Sequence, residues 1–297
     1  MPDRDWIIII SLGIAFGSIF FFNDIMLRDF GPLWVSFARV STAALGGWIF
    51  VLATGRYHAV PVARMPQLVF MGIFMFSIPF SVYPLAQQFV ASGVAGIVNA
   101  LTPVAVVIVS HFWPGGERAT WLKSLGVLAG FIGIVFLTIP ALGPGTDGQL
   151  FGTLVTVLAP LSYAIGLNYV RRLRDLDIAL MATWSFTFAA ILLFPLAMLV
   201  EGPVETIQPT TWVAIAIAGF LITGALFIIS FMVIARAGAT KTSTLTFISP
   251  ITALLVGWLF LNESLGPLHF LGMAAIFLGL FLIDGKLFQR WFGQKVN

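Results

Sequence analysis

The chain has 297 residues, of which 59% are hydrophobic and 9% are charged. Because soluble domains have about 25% charged residues, this composition excludes a soluble domain and indicates an integral membrane protein. The net charge of +3 comes from basic residues scattered over short loops, which argues against nucleic-acid binding. The chain has no cysteine, which excludes disulfides and thiolate metal sites.

Apolar runs of about 20 residues, each long enough to cross a bilayer as a helix, follow one another along the chain. Barrel strands would be about ten residues long and alternate in polarity, so we predict an all-α integral membrane fold. The ten predicted spans are, in chain order, 6–27, 32–53, 66–88, 91–113, 121–140, 149–171, 178–200, 211–235, 239–261 and 266–287. The loops are too short for a soluble domain, so the function must reside in the helix bundle.

The second half of the chain repeats the first. The block Ser92–Val135 aligns with Ala239–Phe281, and the paired prolines Pro103 and Pro250 lie 147 residues apart. A fixed offset of about half the chain indicates duplication. With five spans in each half, the halves must face opposite ways, which is the inverted-repeat plan of secondary transporters. We predict a first repeat over 1–144 with helices 1–5 and a second over 145–297 with helices 6–10.

Basic residues mark one side of this topology. Thirteen of the 15 lysines and arginines fall on the side that carries the N-terminus: Arg4, Arg56, Arg64, Arg118, Lys123, Arg171, Arg172, Arg174, Arg236, Lys241, Lys286, Arg290 and Lys295. The positive-inside rule therefore places both termini in the cytoplasm.

At the paired blocks the chain resembles the EamA-type branch of the drug/metabolite transporter superfamily. The residues that carry the resemblance are the run from Pro103 to Glu117 and Arg118, its repeat at Pro250, Asn262–Ser264 and Gly272, the early Phe16-Gly17-Ser18, and Arg39. The resemblance implies that helices 1–4 and 6–9 surround a central path while helices 5 and 10 stand aside. It also implies a bacterial inner-membrane location and export of amino acids or related metabolites.

Polar side chains within the apolar helices are candidates for the substrate path, because unpaired polar groups are costly in hydrocarbon. The candidates, with the aromatic residues among them, are Ser77, Ser81, Tyr83, Asn99, Thr102, Tyr163, Asn168, Trp184, Ser243, Thr246, Phe247 and Ser249. A hydroxyl can instead bond to its own helix, whereas the amide of Asn99 is either a substrate contact or an interhelical clasp. Such a path suits small neutral or zwitterionic solutes, including aromatic amino acids; the alternative is efflux of multiple drugs or organic cations.

Pro103 and Pro250 lie near the middle of helices 4 and 9, where each removes a backbone hydrogen bond. Interruptions at equivalent places in two repeats point to a transporter's binding site or hinge. The other interpretation is an ordinary membrane-helix kink.

Arg39 is a full charge within a span, which by default indicates a functional role or a partner. We weigh three roles: a structural or gating ion pair with Asp24, recognition of a substrate carboxylate, and snorkelling to the interface. Gln87 and Gln88 could extend this polar cluster or mark the membrane interface.

Helices 5 and 10 carry small residues at four-residue spacing, which lets helices approach closely. These residues are Gly126, Gly130, Gly133, Gly272, Ala275 and Gly279. They predict either packing within the chain or a homodimer face. Glu117 and Glu263 lie at helix ends, where we expect them to cap helices 5 and 10.

No aspartate or glutamate lies near mid-membrane, so proton antiport through a central carboxylate is disfavoured. The sequence has no HExxH, no GxSxG and no carboxylate pair on one helix, which argues against an enzyme. No residue cluster indicates a metal site, and we expect no cofactor. A channel would show charged rings or a carbonyl filter, and neither is evident.

Overall fold

A computed structural model of the chain describes residues 4–143, 146, 148–230 and 244–284. All regular structure in these ranges is helical. Eight helices of the described ranges are long and apolar enough to cross a membrane: α1 (Arg4–Met26), α2 (Pro32–Ala53), α3 (Val62–Gln87), α4 (Ser92–Phe112), α5 (Trp121–Leu142), α6 (Gln149–Leu173), α7 (Ile178–Val200) and α8 (Pro209–Ser230). Two shorter apolar helices follow, α9 (Thr244–Leu261) and α10 (Pro267–Ile283). The predicted fold class is confirmed, with helix ends within a few residues of the expected ones where both lie in the described ranges.

Helix contacts follow the duplication. α1 packs along α9, and the equivalent helices of the other repeat, α6 and α4, also pack together. α2 packs along α7, its own counterpart, and α5 packs along α10. Exchanging the two halves therefore leaves the main helix pairs unchanged, as an inverted repeat requires. The boundary between 144 and 145 stays a prediction.

The glycines of α5 and α10 lie where these two helices pack against each other. A Cβ on Gly126 would lie 2.6 Å from the carbonyl oxygen of Gly279, and a Cβ on Gly133 would lie 2.8 Å from that of Gly272. Such distances leave no room for a side chain, so the two helices touch backbone to backbone. The intramolecular interpretation is therefore the correct one for these glycines. A homodimer through α5 and α10 stays a prediction and would have to use their outward apolar faces.

Loop contacts define two ends of the bundle. We call the end with the loops 54–61, 113–120 and 174–177 the basic side, and the other end the opposite side. On the basic side, Arg56 pairs with Asp177 at 3.0 Å and Arg64 pairs with Asp175 at 2.6 Å. These pairs join the α2–α3 loop and the first turn of α3 in the first repeat to the α6–α7 loop of the second.

Two π-helical segments occupy equivalent places in α3 and α8, at Gly72–Ser77 and Ala216–Leu226. A glycine in each segment lies against the backbone of a neighbouring helix. A Cβ on Gly72 would be 2.7 Å from the Ser185 carbonyl oxygen in α7, and one on Gly219 would be 3.1 Å from the Arg39 carbonyl oxygen in α2. Because π segments arise frequently at functional sites, this pair directs attention to the space between them.

The two symmetry-related prolines behave differently. α4 is interrupted at residues 100–101 between the segments Ser92–Asn99 and Thr102–Phe112, with Pro103 in the first turn of the second segment. α9 continues as one helix through Pro250. The hydroxyl of Thr102 donates to the Asn99 carbonyl oxygen at 2.7 Å, so one acceptor freed by Pro103 is satisfied locally. The hinge role of both prolines stays a prediction.

Candidate functional site

A central cavity of about 300 Å³ lies between the two repeats. Its walls come from α1, α2, α3, α4, α6, α8 and α9. The lining residues are Phe16, Ile19, Phe20, Arg39, Met75, Phe80, Tyr83, Asn99, Ala100, Thr102, Tyr163, Leu167, Thr223, Phe227, Ser230, Leu245, Thr246 and Ser249. Met75 and Thr223 belong to the two π segments. Helices 1–4, 6, 8 and 9 thus surround a central space, while α5, α7 and α10 contribute no residue to this lining. The absence of α7 departs from the expected plan, in which helices 1–4 and 6–9 surround the path.

Six of the predicted path residues line this cavity. They are Tyr83, Asn99, Thr102, Tyr163, Thr246 and Ser249. The Tyr83 hydroxyl donates to Asn99 Oδ1 at 2.6 Å and so joins α3 to α4. The amide of Asn99 therefore clasps two helices at the cavity wall, and its role as a substrate contact stays a prediction. Its amide nitrogen is the group left for a ligand in that arrangement.

Arg39 lies on the cavity wall and is only 1% exposed. Its Nη1 donates to Asn23 Oδ1 at 3.1 Å, and its Nη2 donates to the Thr223 hydroxyl at 3.4 Å. The guanidinium carbon lies 4.0 Å from the centre of the Phe80 ring, within range for a cation–π contact. The Nε atom is buried with no hydrogen-bond partner. Snorkelling is thereby ruled out, because the charge points into the bundle.

The predicted ion pair between Arg39 and Asp24 is not formed. Asp24 pairs instead with Arg28, four residues further on and just past the end of α1, at 3.3 Å. Consecutive residues of a helix point about 100° apart, so Asn23 faces Arg39 while Asp24 faces away from it. A neutral amide, one position earlier, therefore takes the place that the sequence suggested for the carboxylate.

None of the described residues that line the cavity is acidic. The four ion pairs found in the described ranges also leave Arg39 without a carboxylate. The amide of Asn23, the hydroxyl of Thr223 and the Phe80 ring contact its charge. The cavity is therefore electropositive, apolar over most of its area, and supplied with a few neutral hydrogen-bonding groups.

Other predicted path residues lie outside the cavity lining. Ser77, Ser81 and Trp184 are buried at their polar atoms without hydrogen-bond partners. Trp184 packs against Trp48, with ring centres 5.1 Å apart. Asn168 donates to the Ala164 carbonyl oxygen of its own helix. Phe247 packs against Phe277 of α10, and Ser243 lies outside the described residues.

A second cavity of about 420 Å³ lies between the central cavity and the basic side. The two cavities share Thr102, Leu167 and Thr246 in their walls. Pro103 lines the second cavity, as do Glu117, Lys123 and Arg171 near its basic end. Lys123 donates to Glu117 at 3.1 Å, and this contact holds the pKa of the Glu117 carboxyl below its usual value. A polar mouth thus adjoins the central cavity on this side.

Hydrogen bonds close the opposite side. Gln87 accepts a hydrogen bond from Asn23 at 2.9 Å and donates to the Ser92 hydroxyl at 3.0 Å. Ser92 in turn donates its backbone N–H to Glu263 at 2.6 Å. With the contact from Arg39 to Asn23, these bonds form one continuous chain from the cavity wall to the loop between α9 and α10. Gln87 does extend the polar cluster around Arg39, whereas Gln88 is exposed.

Two glutamates of the second repeat cap helices of the first repeat. Glu263 accepts from the backbone N–H groups of Ser92 and Gly93 at the start of α4. Glu201 accepts from those of Leu33 and Trp34 at the start of α2. A carboxylate at a helix N-terminus satisfies free N–H groups and complements the helix dipole. The expectation that Glu263 caps α10 is wrong, because the α9–α10 loop folds back onto α4.

Several site residues were not among the predicted ones. Asn23, Phe80 and Phe227 carry no sequence signal beyond being polar or aromatic in an apolar run, and Thr223 was one hydroxyl among many. The π segment of α8 directs Thr223 inward, where its hydroxyl bonds to the Ala218 carbonyl oxygen at 2.6 Å and accepts from Arg39.

Gly17 explains part of the early Phe-Gly-Ser motif. A Cβ at this position would meet the Ser249 carbonyl oxygen and the Thr252 side chain of α9. The missing side chain lets α1 and α9 approach closely beside the cavity, where Phe16 and Ser249 both line the wall. Any larger residue at position 17 would separate the helices.

Comparisons with known proteins agree with this architecture. Residues 6–139 and 150–284 match the EamA-like transporter family. The chain is 24% identical to the uncharacterized transporter YoaV of Bacillus subtilis, over 92% of this chain and 94% of that protein. It is 23% identical to the uncharacterized inner membrane transporter YedA of Escherichia coli K12 (92% and 88%) and 25% identical to protein PecM of Dickeya dadantii (93% and 91%). A solved crystal structure with 18% identity matches with a TM-score of 0.69 over 99% of this chain and 100% of that chain, which shows the fold alone.

Proposed function

The chain belongs to the EamA-like transporter family, and from that premise we propose that it exports small neutral or zwitterionic metabolites by alternating access. Amino acids, including aromatic ones, are the first candidates. The observation that carries the proposal is the central cavity between the repeats, which combines aromatic rings, neutral polar groups and the charge of Arg39. A carrier needs a site that both sides can reach in turn, and the interface of inverted repeats supplies one.

The shape of the cavity supports a solute of amino-acid size. Its volume of about 300 Å³ lies at the lower end of the range for small-molecule sites, roughly 300–1,000 Å³. Phe16, Phe80, Tyr83, Tyr163 and Phe227 provide apolar and aromatic walls. An aromatic or aliphatic side chain can be buried against these rings while the polar groups of the solute meet the hydroxyls and amides.

The two ends of the path support an alternating mechanism. On the opposite side, the chain of hydrogen bonds through Asn23, Gln87 and Ser92 ends at the Glu263 cap. Towards the basic side, the second cavity adjoins the central one through Thr102 and Thr246. A solute entering from the basic side would reach the site first, and release would require breaking the bonds on the opposite side. In this scheme Pro103 and Pro250 act as hinges for the movement.

Efflux of organic cations is the less favoured alternative. A cation in the central cavity would face the buried charge of Arg39 with no acidic side chain among the described lining residues. Like charges at short range in a medium of low dielectric repel strongly. Because none of the described lining residues is acidic, coupling to a proton on a carboxylate in the cavity is also disfavoured. We therefore propose facilitated transport.

The basic side is proposed to face the cytoplasm of a bacterial inner membrane, with both termini there, from the distribution of lysine and arginine. Single cysteines can be introduced into this cysteine-free chain. In intact cells, a membrane-impermeant maleimide should label Gly202→Cys and should label Gly55→Cys only after the cells are opened. The reverse pattern would overturn the proposed orientation.

Flux measurements decide the transport proposal itself. Purified protein in liposomes should show saturable counterflow of radiolabelled amino acids, with competition by unlabelled solutes and little dependence on an imposed pH gradient. Ohmic current without saturation would indicate a channel. Uptake of organic cations with no uptake of amino acids would favour the alternative substrate class.

A further inference from the structure

We infer that Arg39 binds the carboxylate of the transported solute and that the site requires this carboxylate but not an amino group. The inference rests on the proposed function and extends its substrate class from zwitterionic amino acids to monocarboxylates with an apolar or aromatic body. The starting observation is a buried guanidinium on the cavity wall with no carboxylate partner in the described part of the chain.

The guanidinium of Arg39 has N–H donors that no group of the described residues accepts from. An arginine side chain has five N–H donors, and Arg39 uses one on Nη1 and one on Nη2, each towards a neutral acceptor. Its buried Nε–H has no acceptor. An unpaired charge in a membrane interior is costly, so a ligand that brings a negative charge and two acceptor oxygens would satisfy what the protein leaves unsatisfied.

The geometry around Arg39 suits a carboxylate. The central carbon of the guanidinium lies over the Phe80 ring, 4.0 Å from the ring centre. This contact occupies a side of the charge with an apolar ring that accepts no conventional hydrogen bond, so the remaining N–H donors stay available. Because carboxylates accept two parallel hydrogen bonds from such a planar fork, the arrangement favours a carboxylate over a single acceptor such as an amide oxygen.

Charge balance then separates related ligands. A monocarboxylate neutralises Arg39, a zwitterionic amino acid leaves one net positive charge, and an amine would bring the total to two. The neutral hydroxyls of Thr102, Thr246 and Ser249 line the same cavity, and they can accept from an ammonium group but cannot balance its charge. The ammonium group of an amino acid therefore contributes less to binding than its carboxylate.

Four probes with the same phenylethyl body test the inference: 3-phenylpropanoate, L-phenylalanine, L-phenylalaninamide and phenethylamine. Each is measured as a competitor of labelled L-phenylalanine counterflow in liposomes and as a ligand of the purified protein by calorimetry. We expect 3-phenylpropanoate to bind at least as well as L-phenylalanine. The amide and the amine should bind at least about tenfold more weakly, the size of one lost hydrogen bond to a charged group.

Variants separate binding from structural support. Arg39→Gln should remove the preference for acids over the amide, and Arg39→Lys should keep part of it because the charge remains. Arg28→Gln is the matched control, since Arg28 is exposed and pairs with Asp24 at the surface. A purely structural Arg39 would give variants with lower thermal stability but an unchanged ratio between acid and amide.

The outcomes are distinguishable. If L-phenylalanine is transported and the amide competes as well as the acids, the carboxylate inference is overturned while the proposed function stands. If no amino acid shows saturable flux, the proposed function fails. Should Arg39→Gln not fold, the comparison of the four probes on the wild-type protein still decides the inference.

Discussion

α2 and α7 occupy equivalent places in the two repeats, and yet only α2 presents a charge to the central cavity. Counted from the first residues of the two helices, Pro32 and Ile178, Arg39 and Ser185 hold the same position. Both backbones touch a glycine of a π segment, Gly219 in α8 and Gly72 in α3. Ser185, however, is absent from the cavity lining and donates to the Met181 carbonyl oxygen of its own helix. The scaffold is therefore symmetric, whereas the recognition chemistry is not.

The same contrast holds for the paired glutamates. Glu117 is exposed and pairs with Lys123 near the mouth on the basic side. Its counterpart Glu263 caps α4 on the opposite side. Identical residues at equivalent positions thus have different partners among the described residues: Lys123 for Glu117, and the first backbone N–H groups of α4 for Glu263.

The largest effect is expected from moving the charge to the other repeat. Ser185→Arg would bury a charge with no partner at a site that is 1% exposed, at a cost of several kcal/mol. We expect a large loss of folded protein, measured as yield and monodispersity after solubilisation. Ser185→Ala, the matched control, should cost about 1 kcal/mol. A stable Ser185→Arg protein would mean that this position also opens to the cavity.

Filling the two π-segment glycines should damage both repeats to a similar extent. Gly72→Leu and Gly219→Leu each place a side chain against the backbone of a packed helix, and overpacking of this kind costs about 1–3 kcal/mol. The melting temperature in detergent measures the loss. Gly143→Ala serves as control because a Cβ at Gly143 would make only ordinary van der Waals contacts, the nearest with the Pro140 carbonyl oxygen at 3.6 Å. If only one of the two leucine substitutions lowered the melting temperature, the two π segments would not be packed equivalently.

The prolines should affect transport unequally. Pro103→Ala allows the interruption at residues 100–101 of α4 to close, whereas α9 is already continuous at Pro250. Regaining one backbone hydrogen bond is worth about 1 kcal/mol, so we expect Pro103→Ala to slow counterflow up to about fivefold and Pro250→Ala to slow it less. Equal rates in both variants and the wild type would leave the prolines as packing features.

Weakening the caps should shift the closed side towards opening. Glu263→Gln and Glu201→Gln keep an acceptor oxygen and lose the charge at a helix N-terminus, worth about 0.3–1 kcal/mol. A cysteine at Ala100, which lines the cavity, should then react about two- to fivefold faster with a reagent supplied from the opposite side. Unchanged labelling would show that the caps do not control this end.

The smallest effect concerns Glu117. Its hydrogen bond and charge contact with Lys123 lower the pKa of the folded-state carboxyl, so the contact stabilises the protein above the unfolded-state pKa and is lost as pH falls through the folded one. Because the Glu117 side chain is 68% exposed, the contribution should stay below about 1 kcal/mol. Melting temperatures of the wild type and Glu117→Gln should differ slightly near neutral pH and converge in acid. A gap that widens in acid would contradict this sign.

Most of the helix bundle could be predicted because each span is a local apolar run bounded by polar, proline or capping residues. The ends of α2 and α7 match the predicted 32–53 and 178–200, since proline or an N-cap aspartate begins the helix and polar residues follow it. The π segments could not be predicted, because their extra residue per turn depends on how Gly72 and Gly219 meet neighbouring helices. The contact between Glu263 and α4 could not be predicted either, because it depends on how the α9–α10 loop packs against another helix.

The candidate site was predictable by residue type and less so by partner. Asn99, Tyr83 and Tyr163 stood out as polar groups in apolar helices, and all three line the cavity. Trp184 and Phe247 had the same appearance in sequence but pack against other rings. A polar side chain in a membrane helix is expected to face the protein and not the lipid. Its polarity does not predict which part of the protein it contacts.

The amino-acid sequence by itself determined that the chain is a duplicated bundle of ten membrane helices, because hydrocarbon demands long apolar runs and duplication leaves a fixed offset. It also singled out Arg39 as a charge that needs an explanation. Only the tertiary structure decided that Arg39 faces Asn23, Thr223 and Phe80 instead of Asp24. The physical reason is that a rotation of about 100° per residue along a helix separates adjacent side chains, and helix packing alone selects which of them meets the charge.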